Sequence, residues 1–342
     1  MNPVFVDVDT GVDDALALLY LFASPDADVV GIASTSGNVA VQQVCENNLG
    51  LLELCRIDVP VSKGPEDTLT GPMRHPSKVH GPRGLGYADL PPTDRLLTDY
   101  DAATAWVRAA QACPGELIGV ATGPLTNLAL ALRAEPALPS LLRRLVIMGG
   151  SYDHRGNITP VAEWNISVDP EAAAEVLAAW SAKDVEGQKL PLLCGLDLTR
   201  KVSMTPEHLA RLAAAAGSTT TVLSARDERG TRSTASNPVI RVVEDAMRFY
   251  MEAYSDNGHG YEAHLHDPLA AAAALDAQLV TARPASVEVE LTGTLTRGMT
   301  VTDWSGAREP NALIGIDVDP AVFFDRFIER VGPFAARLDG HS

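Results

Sequence analysis

Val4-Phe5-Val6-Asp7-Val8-Asp9-Thr10-Gly11-Val12-Asp13-Asp14-Ala15 joins two different elements near the amino terminus. Residues 4–8 are a short apolar, β-branched run of the kind buried in a sheet, and Thr10-Gly11 is a turn. The doubled Asp13-Asp14 then opens an apolar segment, as acidic residues do in the first turn of a helix. Working outward, β-rich runs at 29–33, 117–121, 145–148 and 192–194 alternate with longer Ala/Leu/Glu segments of helical spacing. Several of these runs end in turn sequences just before a helix: Ser36-Gly37-Asn38, Thr122-Gly123-Pro124 and Gly149-Gly150. The pattern predicts an α/β fold with an open, mostly parallel, doubly wound (Rossmann-like) sheet flanked by helices. In such sheets ligands bind outside the carboxyl ends of the strands, so the turns are where chemistry is expected.

The remaining organisation is consistent with one domain spanning 1–342. A Pro/Gly-rich connection at about 60–92 and a Ser/Thr/Arg-rich stretch leading into a helical run, together about 217–265, are expected to lie over the site. Residues 287–291 and 299–302 read as a pair of strands around Thr292-Gly293.

Composition narrows the function. Twenty-seven Lys and Arg against 44 Asp and Glu give a net charge of −17, without the basic stripe that a phosphate backbone requires, so neither nucleic acid nor an anionic membrane is expected as a partner. The four cysteines, Cys45, Cys55, Cys113 and Cys194, form no CxxC pair and read as reduced core thiols. No signal-peptide pattern and no apolar run of spanning length is visible, and a cytoplasmic location is the expectation.

Asp7, Asp9, Asp13 and Asp14 fall within eight residues with no neighbouring base. A helix dipole and an N-cap account for one or two of these acids, not for all of them. Carboxylates packed at the end of a buried strand repel one another unless a cation joins them, and an oxygen-only set selects a hard ion such as Ca²⁺ or Mg²⁺. An EF-hand is excluded, because the twelfth position counted from Asp7 is Leu18 where a bidentate Glu is required. The Asp7-Val8-Asp9 step also invites comparison with haloacid-dehalogenase-like phosphohydrolases, whose first Asp is a nucleophile. There a Gly-Thr step follows, whereas here the order is Thr10-Gly11 and the Asp13-Asp14 pair stays unexplained.

The stretch Asp7 to Ala15 resembles the signature of the inosine-uridine preferring nucleoside hydrolases. The resemblance continues in order through Ser36-Gly37-Asn38, Ala121-Thr122-Gly123-Pro124-Leu125-Thr126-Asn127, Met148-Gly149-Gly150, Gly156-Asn157, Ala162-Glu163-Trp164-Asn165, Gly195-Leu196-Asp197-Leu198-Thr199, His266-Asp267-Pro268 and Leu291-Thr292-Gly293. It covers roughly residues 4–318. It implies the nucleoside hydrolase fold, and hydrolysis of the N-glycosidic bond of ribonucleosides to ribose and free base. It also implies a Ca²⁺ held by Asp9, Asp14, the Thr122 carbonyl and Asp267, with Asp9 as general base on the bound water. Asp13 and Asn38 are implied at the 2′ and 3′ hydroxyls, Asn165 beside them, and Asn157 with Glu163 toward the 5′ hydroxyl. His266 would protonate the departing base, and His80, in the long loop, would close over it.

Thr10 and Trp164 stand where the family commonly has Pro and Phe. The run 257–265 matches the family less readily and is expected to line the base pocket, with Tyr261 and His264 as stacking or proton-donating groups. The resemblance further implies a homodimer or homotetramer acting on a small-molecule nucleoside. Two other readings remain at this stage: the phosphohydrolase, with Asp7 as nucleophile, and a non-catalytic nucleoside- or ribose-binding protein.

Overall fold

A computed structural model describes residues 1–73, 79–181, 189–220 and 223–339. The strands are β1 (Asn2–Val8), β2 (Ala27–Ser34), β3 (Val61–Lys63), β4 (Leu117–Ala121), β5 (Leu142–Met148), β6 (Leu192–Cys194), β7 (Ser203–Met204), β8 (Ala263–His264), β9 (Val280–Val289), β10 (Thr300–Asp303) and β11 (Ala312–Val318). Nine of them form one sheet in the order β10-β9-β11-β6-β5-β4-β1-β2-β3, and β7 pairs with β8 alone. From β11 to β3 every pairing is parallel, while β9 runs antiparallel to both β11 and β10. The mostly parallel, doubly wound sheet expected from the sequence is therefore present. The terminal strand pair is also present, but β9 begins earlier than the expected 287, because its first half pairs with β11.

The helices are α1 (Val12–Ala23), α2 (Val41–Cys55), α3 (Ala102–Ala112), α4 (Thr126–Ala134), α5 (Leu138–Leu141), α6 (Trp164–Val168), α7 (Pro170–Ala179), α8 (Leu196–Thr199), α9 (Pro206–Ala215), α10 (Pro238–Asp256), α11 (His266–Leu275) and α12 (Pro320–Asp339). Two buried clusters cover the two faces of the sheet, one around α1, α10, α11 and α12 and the other around α3, α4 and α7. Helix α11 packs along α1. Its run Ala270-Ala271-Ala272-Ala273-Ala274 is wholly buried, and side chains this small let the two helices approach closely. Cys45, Cys55 and Cys194 are buried, Cys113 is half-buried, and all four are unpaired thiols. Among the described residues no helix is long and apolar enough to cross a membrane.

The topology selects one crevice. The chain winds outward from β1 through β2 to β3, then returns to the other side of β1 and continues through β4, β5 and β6. The strand order thus reverses between β1 and β4, the position where open α/β sheets bind ligands beyond their carboxyl ends. Asp9 follows β1 and Thr122 follows β4 directly at this reversal.

Candidate functional site

Asp9 is fully buried in the crevice. Two glycines make its place: a Cβ on Gly37 would overlap Asp9 Oδ2, and one on Gly123 would come within 3.1 Å of Asp9 Oδ1. Oδ2 accepts the Asn38 backbone N–H at 2.8 Å, whereas the buried Oδ1 has no hydrogen-bond partner. An orphaned carboxylate oxygen is costly away from water, and a cation is the ligand type that removes this cost.

Three further carboxylates surround it. Asp13 and Asp14 occupy the first turn of α1 and Asp267 the first turn of α11, so two helix N-termini converge on the crevice. Oxygen atoms of Asp13, Asp14 and Asp267 lie within 4.8 Å of one another, and all three side chains are buried. Asp14 is oriented by Thr122 Oγ1 at 2.7 Å and by the Gly11 N–H at 2.9 Å. Burial and mutual repulsion push Asp13 up to about 8, and Asp9 and Asp267 well above the usual carboxylate range. Asp14 is raised by burial as well. The converging helix dipoles do not overcome this repulsion, so a hard, oxygen-seeking cation fits the donor set.

The groups expected on the ribose lie around this floor. Asn38, Asn157, Glu163 and Asn165 all line a cavity of about 600 Å³ together with Asp13 and Asp267. Asn38 Nδ2 reaches Asp14 Oδ2 at 3.3 Å. Glu163 caps α6, accepting from the backbone N–H groups of Gly150, Asn165 and Ile166. Asn165 Nδ2 donates to the Thr122 carbonyl at 2.6 Å, leaving that oxygen a second lone pair. Asn157 is exposed and held by its Oδ1, which accepts the Trp164 N–H.

His80 also lines the cavity. Its Nδ1 accepts the Val12 N–H at 3.1 Å, and burial lowers its pKa to about 4, so it is a neutral ring. The loop that carries it is seated by Gly86, whose φ of +56° and 2.5 Å approach of a hypothetical Cβ to Phe249 leave no room for a side chain. Of the 60–92 connection only Val79 and His80 reach the cavity among the described residues, and 74–78 lie outside them. The described residues of the 217–237 segment do not line it either; they pack on α10, through Arg232 to Asp245 and Ser233 to Glu244.

Two expectations need correction. Tyr261 is not at the cavity: it packs against the main core with a buried hydroxyl, near Arg248 and Glu252 rather than the base pocket. Its neighbours Asn257, His259 and His264 do line the cavity. Asp7 is no nucleophile. Its oxygens accept from Thr35 Oγ1, Asn127 Nδ2 and Trp106 Nε1, tying β1 to α3 and α4. Asp7 shares the sheet face of Phe5, which packs on the same Trp106, and three donors already engage its carboxylate.

Sequence reading missed the groups that hold His266. Its Nδ1 is 2.7 Å from Thr199 Oγ1 and its Nε2 is 3.1 Å from the Tyr254 hydroxyl. Thr199 donates to the Gly195 carbonyl, so hydrogen-bond accounting puts the neutral ring's proton on Nδ1 and makes Tyr254 the donor to Nε2. Tyr250 stacks edge-on against Tyr254 and faces His80 at a ring separation of 5.0 Å. Burial lowers His266 well below the ordinary imidazole value, with Arg200 and His264 nearby adding to the effect. Tyr250 and Tyr254 lie four apart on the predicted helical run, a spacing that puts both on one face, which is the signal that was available.

The chain matches the inosine-uridine preferring nucleoside hydrolase family over residues 4–325. The protein belongs to that family. As a nucleoside hydrolase it cleaves the N-glycosidic bond of ribonucleosides, and a small-molecule nucleoside is its substrate class. It is 34% identical to a pyrimidine-specific ribonucleoside hydrolase, RihA, of Salmonella arizonae, over 96% of this chain and 98% of that protein. The solved structure of a purine-preferring ribonucleoside hydrolase from Gardnerella vaginalis superposes with a TM-score of 0.86 at 28% identity, covering 98% of this chain and 99% of the other. A plant nucleoside hydrolase gives a TM-score of 0.81 at 30% identity, over 97% and 99% of the two chains. Membership of the family sets the phosphohydrolase reading aside.

Proposed function

We propose that this nucleoside hydrolase is Ca²⁺-dependent, with Asp9, Asp14, Asp267 and the Thr122 carbonyl as ligands. The observation that carries the reading is the buried, unpartnered Asp9 Oδ1 beside three mutually repelling carboxylates. A bound Ca²⁺ supplies positive charge that fixes and acidifies water and orients ribose hydroxyls. Asp9 takes the proton of the attacking water. Asp13 and Asn38 accept and donate at the 2′ and 3′ hydroxyls, with Asn165 beside them and Asn157 and Glu163 toward the 5′ hydroxyl. The oxygen attacks C1′, the C1′–N bond breaks through an oxocarbenium-like state, and the bond's electron pair leaves with the base. The proton that neutralises the base comes from the hydrogen-bonded Tyr254–His266 pair, the Tyr254 hydroxyl being its source.

Glu163 at the 5′ side disfavours a 5′-phosphate, so nucleosides rather than nucleotides are the substrates. His80 packs over the base from the loop side. The relatives' names point to different bases, pyrimidine-specific for RihA and purine-preferring for the Gardnerella enzyme, so no base preference is carried over from either. A cytoplasmic homodimer or homotetramer remains the assembly we propose. The test is reducing-sugar release from inosine, adenosine, guanosine, uridine and cytidine, each with chelator and again after adding Ca²⁺. Chelator-sensitive release restored by Ca²⁺ is expected; tight nucleoside binding with no release from any of them would favour a binding protein instead.

A further inference from the structure

Arg200 enters neither the ribose clamp nor the carboxylate floor, yet it lines the same cavity. It caps the C-terminus of α8, one residue after the Thr199 that holds His266, so its place in the crevice is set by the element that orients the proton donor. Its guanidinium donates to His154 Nδ1 at 3.0 Å, which requires that nitrogen to be bare. The Arg155 carbonyl approaches the same nitrogen at 3.0 Å and competes for it, so the His154 contact is a replaceable one. Among the described residues no carboxylate lies within ion-pair distance of Arg200. Its charge acts inside the cavity: it disfavours a proton on His264, which burial chiefly lowers to about 4.

The placement has a direction. The carboxylate floor is buried, whereas Arg200 is half-exposed and His154 exposed, so the guanidinium stands at the outer part of the cavity. A nucleoside with its ribose on the floor points the far edge of its base outward. We infer that Arg200 binds that far edge and selects bases carrying a carbonyl there, as hypoxanthine and uracil do, over bases carrying an amino group, as adenine and cytosine do. A guanidinium offers only donors in a planar fork and keeps its charge at any working pH. It therefore pairs with an exocyclic oxygen and meets an exocyclic amino group donor to donor.

The contact strengthens during the reaction. When the C1′–N bond breaks, its electron pair passes to the ring nitrogen and spreads onto the exocyclic oxygen, until the proton from the Tyr254–His266 pair neutralises the base. Arg200 stabilises that transient charge, an interaction stronger in the transition state than with the bound nucleoside. This inference rests on the hydrolytic reading above.

The experiment compares kcat and KM for inosine against adenosine and for uridine against cytidine, in the native enzyme and in Arg200→Gln and Arg200→Lys. The native enzyme is expected to favour the oxo member of each pair. Arg200→Gln is expected to lower kcat/KM on the oxo members by about 10- to 100-fold, the range of a charge-assisted hydrogen bond, with most of the loss in kcat. The loss on the amino members is expected to be at least about tenfold smaller. Arg200→Lys, which keeps the charge without the fork, should fall between the two. Equal losses on all four nucleosides, or an unchanged preference in Arg200→Gln, would overturn the assignment while leaving hydrolysis intact. Release from none of the four by the native enzyme would overturn the hydrolytic reading together with it. Circular dichroism of each variant separates misfolding from lost recognition, and Arg200→Lys carries the comparison should Arg200→Gln not fold.

Discussion

The two ends of the cavity are built on different principles. The inner end is made of strand termini and helix first turns: Asp9 after β1, Thr122 after β4, Asp13 and Asp14 on α1, Asp267 on α11. Its groups are buried and oriented by short hydrogen bonds, and its charges are of one sign. The outer end is assembled from pieces far apart in the chain: His154 in a loop, Arg200 at the end of α8, Tyr250 and Tyr254 on α10, His259 and His264 beyond it. It is partly exposed, neutral or basic, and connected by ring contacts as much as by hydrogen bonds. Bond-breaking at the sugar needs one geometry for every nucleoside, and on the proposed reading the inner end supplies it. On the proposed reading the identity of the base is a matter for the outer end; the relatives' names span a pyrimidine-specific and a purine-preferring hydrolase.

Substitutions can break this division. Asp9→Asn keeps the shape and removes the base, and a loss in kcat of about 10²–10⁴-fold is expected on every nucleoside alike. A loss confined to one base class, in steady-state kinetics, would show that the two ends are not separate. His266→Ala, beside the inner end, should cost about 10²-fold, and Tyr254→Phe, at the outer end, about tenfold, because the imidazole remains but loses its donor. Both losses should shrink for a riboside with a good leaving group such as p-nitrophenol, since little protonation is then needed.

Outside the cavity, Asp7 offers a contrast within a single strand. Asp7→Ala leaves Trp106 Nε1, Thr35 and Asn127 without their shared acceptor and is expected to cost about 2–4 kcal/mol in chemical denaturation, with the kcat of the folded fraction little changed. A large drop in kcat with native stability would return Asp7 to the chemistry.

The smallest effect is one of pH. Burial raises Asp7 to about 6 and Asp13 to about 8, so in the ion-free protein these carboxyls hold protons that the unfolded chain has released. Their contribution to stability is full below the unfolded value near 4 and is lost as pH rises toward 8. The chelated protein should therefore melt lower at pH 8 than at pH 5. Added Ca²⁺ should raise the melting temperature most at pH 8, because binding must displace fewer protons there. Equal Ca²⁺ shifts at both pH values would mean the ion does not sit among these groups.

The inner end was legible in the sequence for a physical reason. A parallel sheet puts strand termini on one side, so Asp9, Asn38, Thr122 and the first turn of α1 had to converge wherever the strands were drawn correctly. Glu163 and Asn165 follow the same logic through a short helix after β5. Tyr261 shows the limit: in a loop, no periodicity says which way a side chain faces, and it turned to the core while His264, three residues on, turned to the cavity. Thr199, Arg200 and Tyr254 were invisible as a group because their nearness to His266 is a matter of helix packing, not of spacing along the chain.

The central claim is that the carboxylate floor works through one calcium ion per chain. The direct measurement is a titration of chelator-stripped protein with Ca²⁺, following ions bound by calorimetry and ribose released from a turned-over nucleoside in the same samples. The account predicts a single equivalent, activity rising in proportion to it, and loss of both in Asp14→Asn. Full activity in stripped protein, or a bound ion whose removal leaves the rate unchanged, would contradict it.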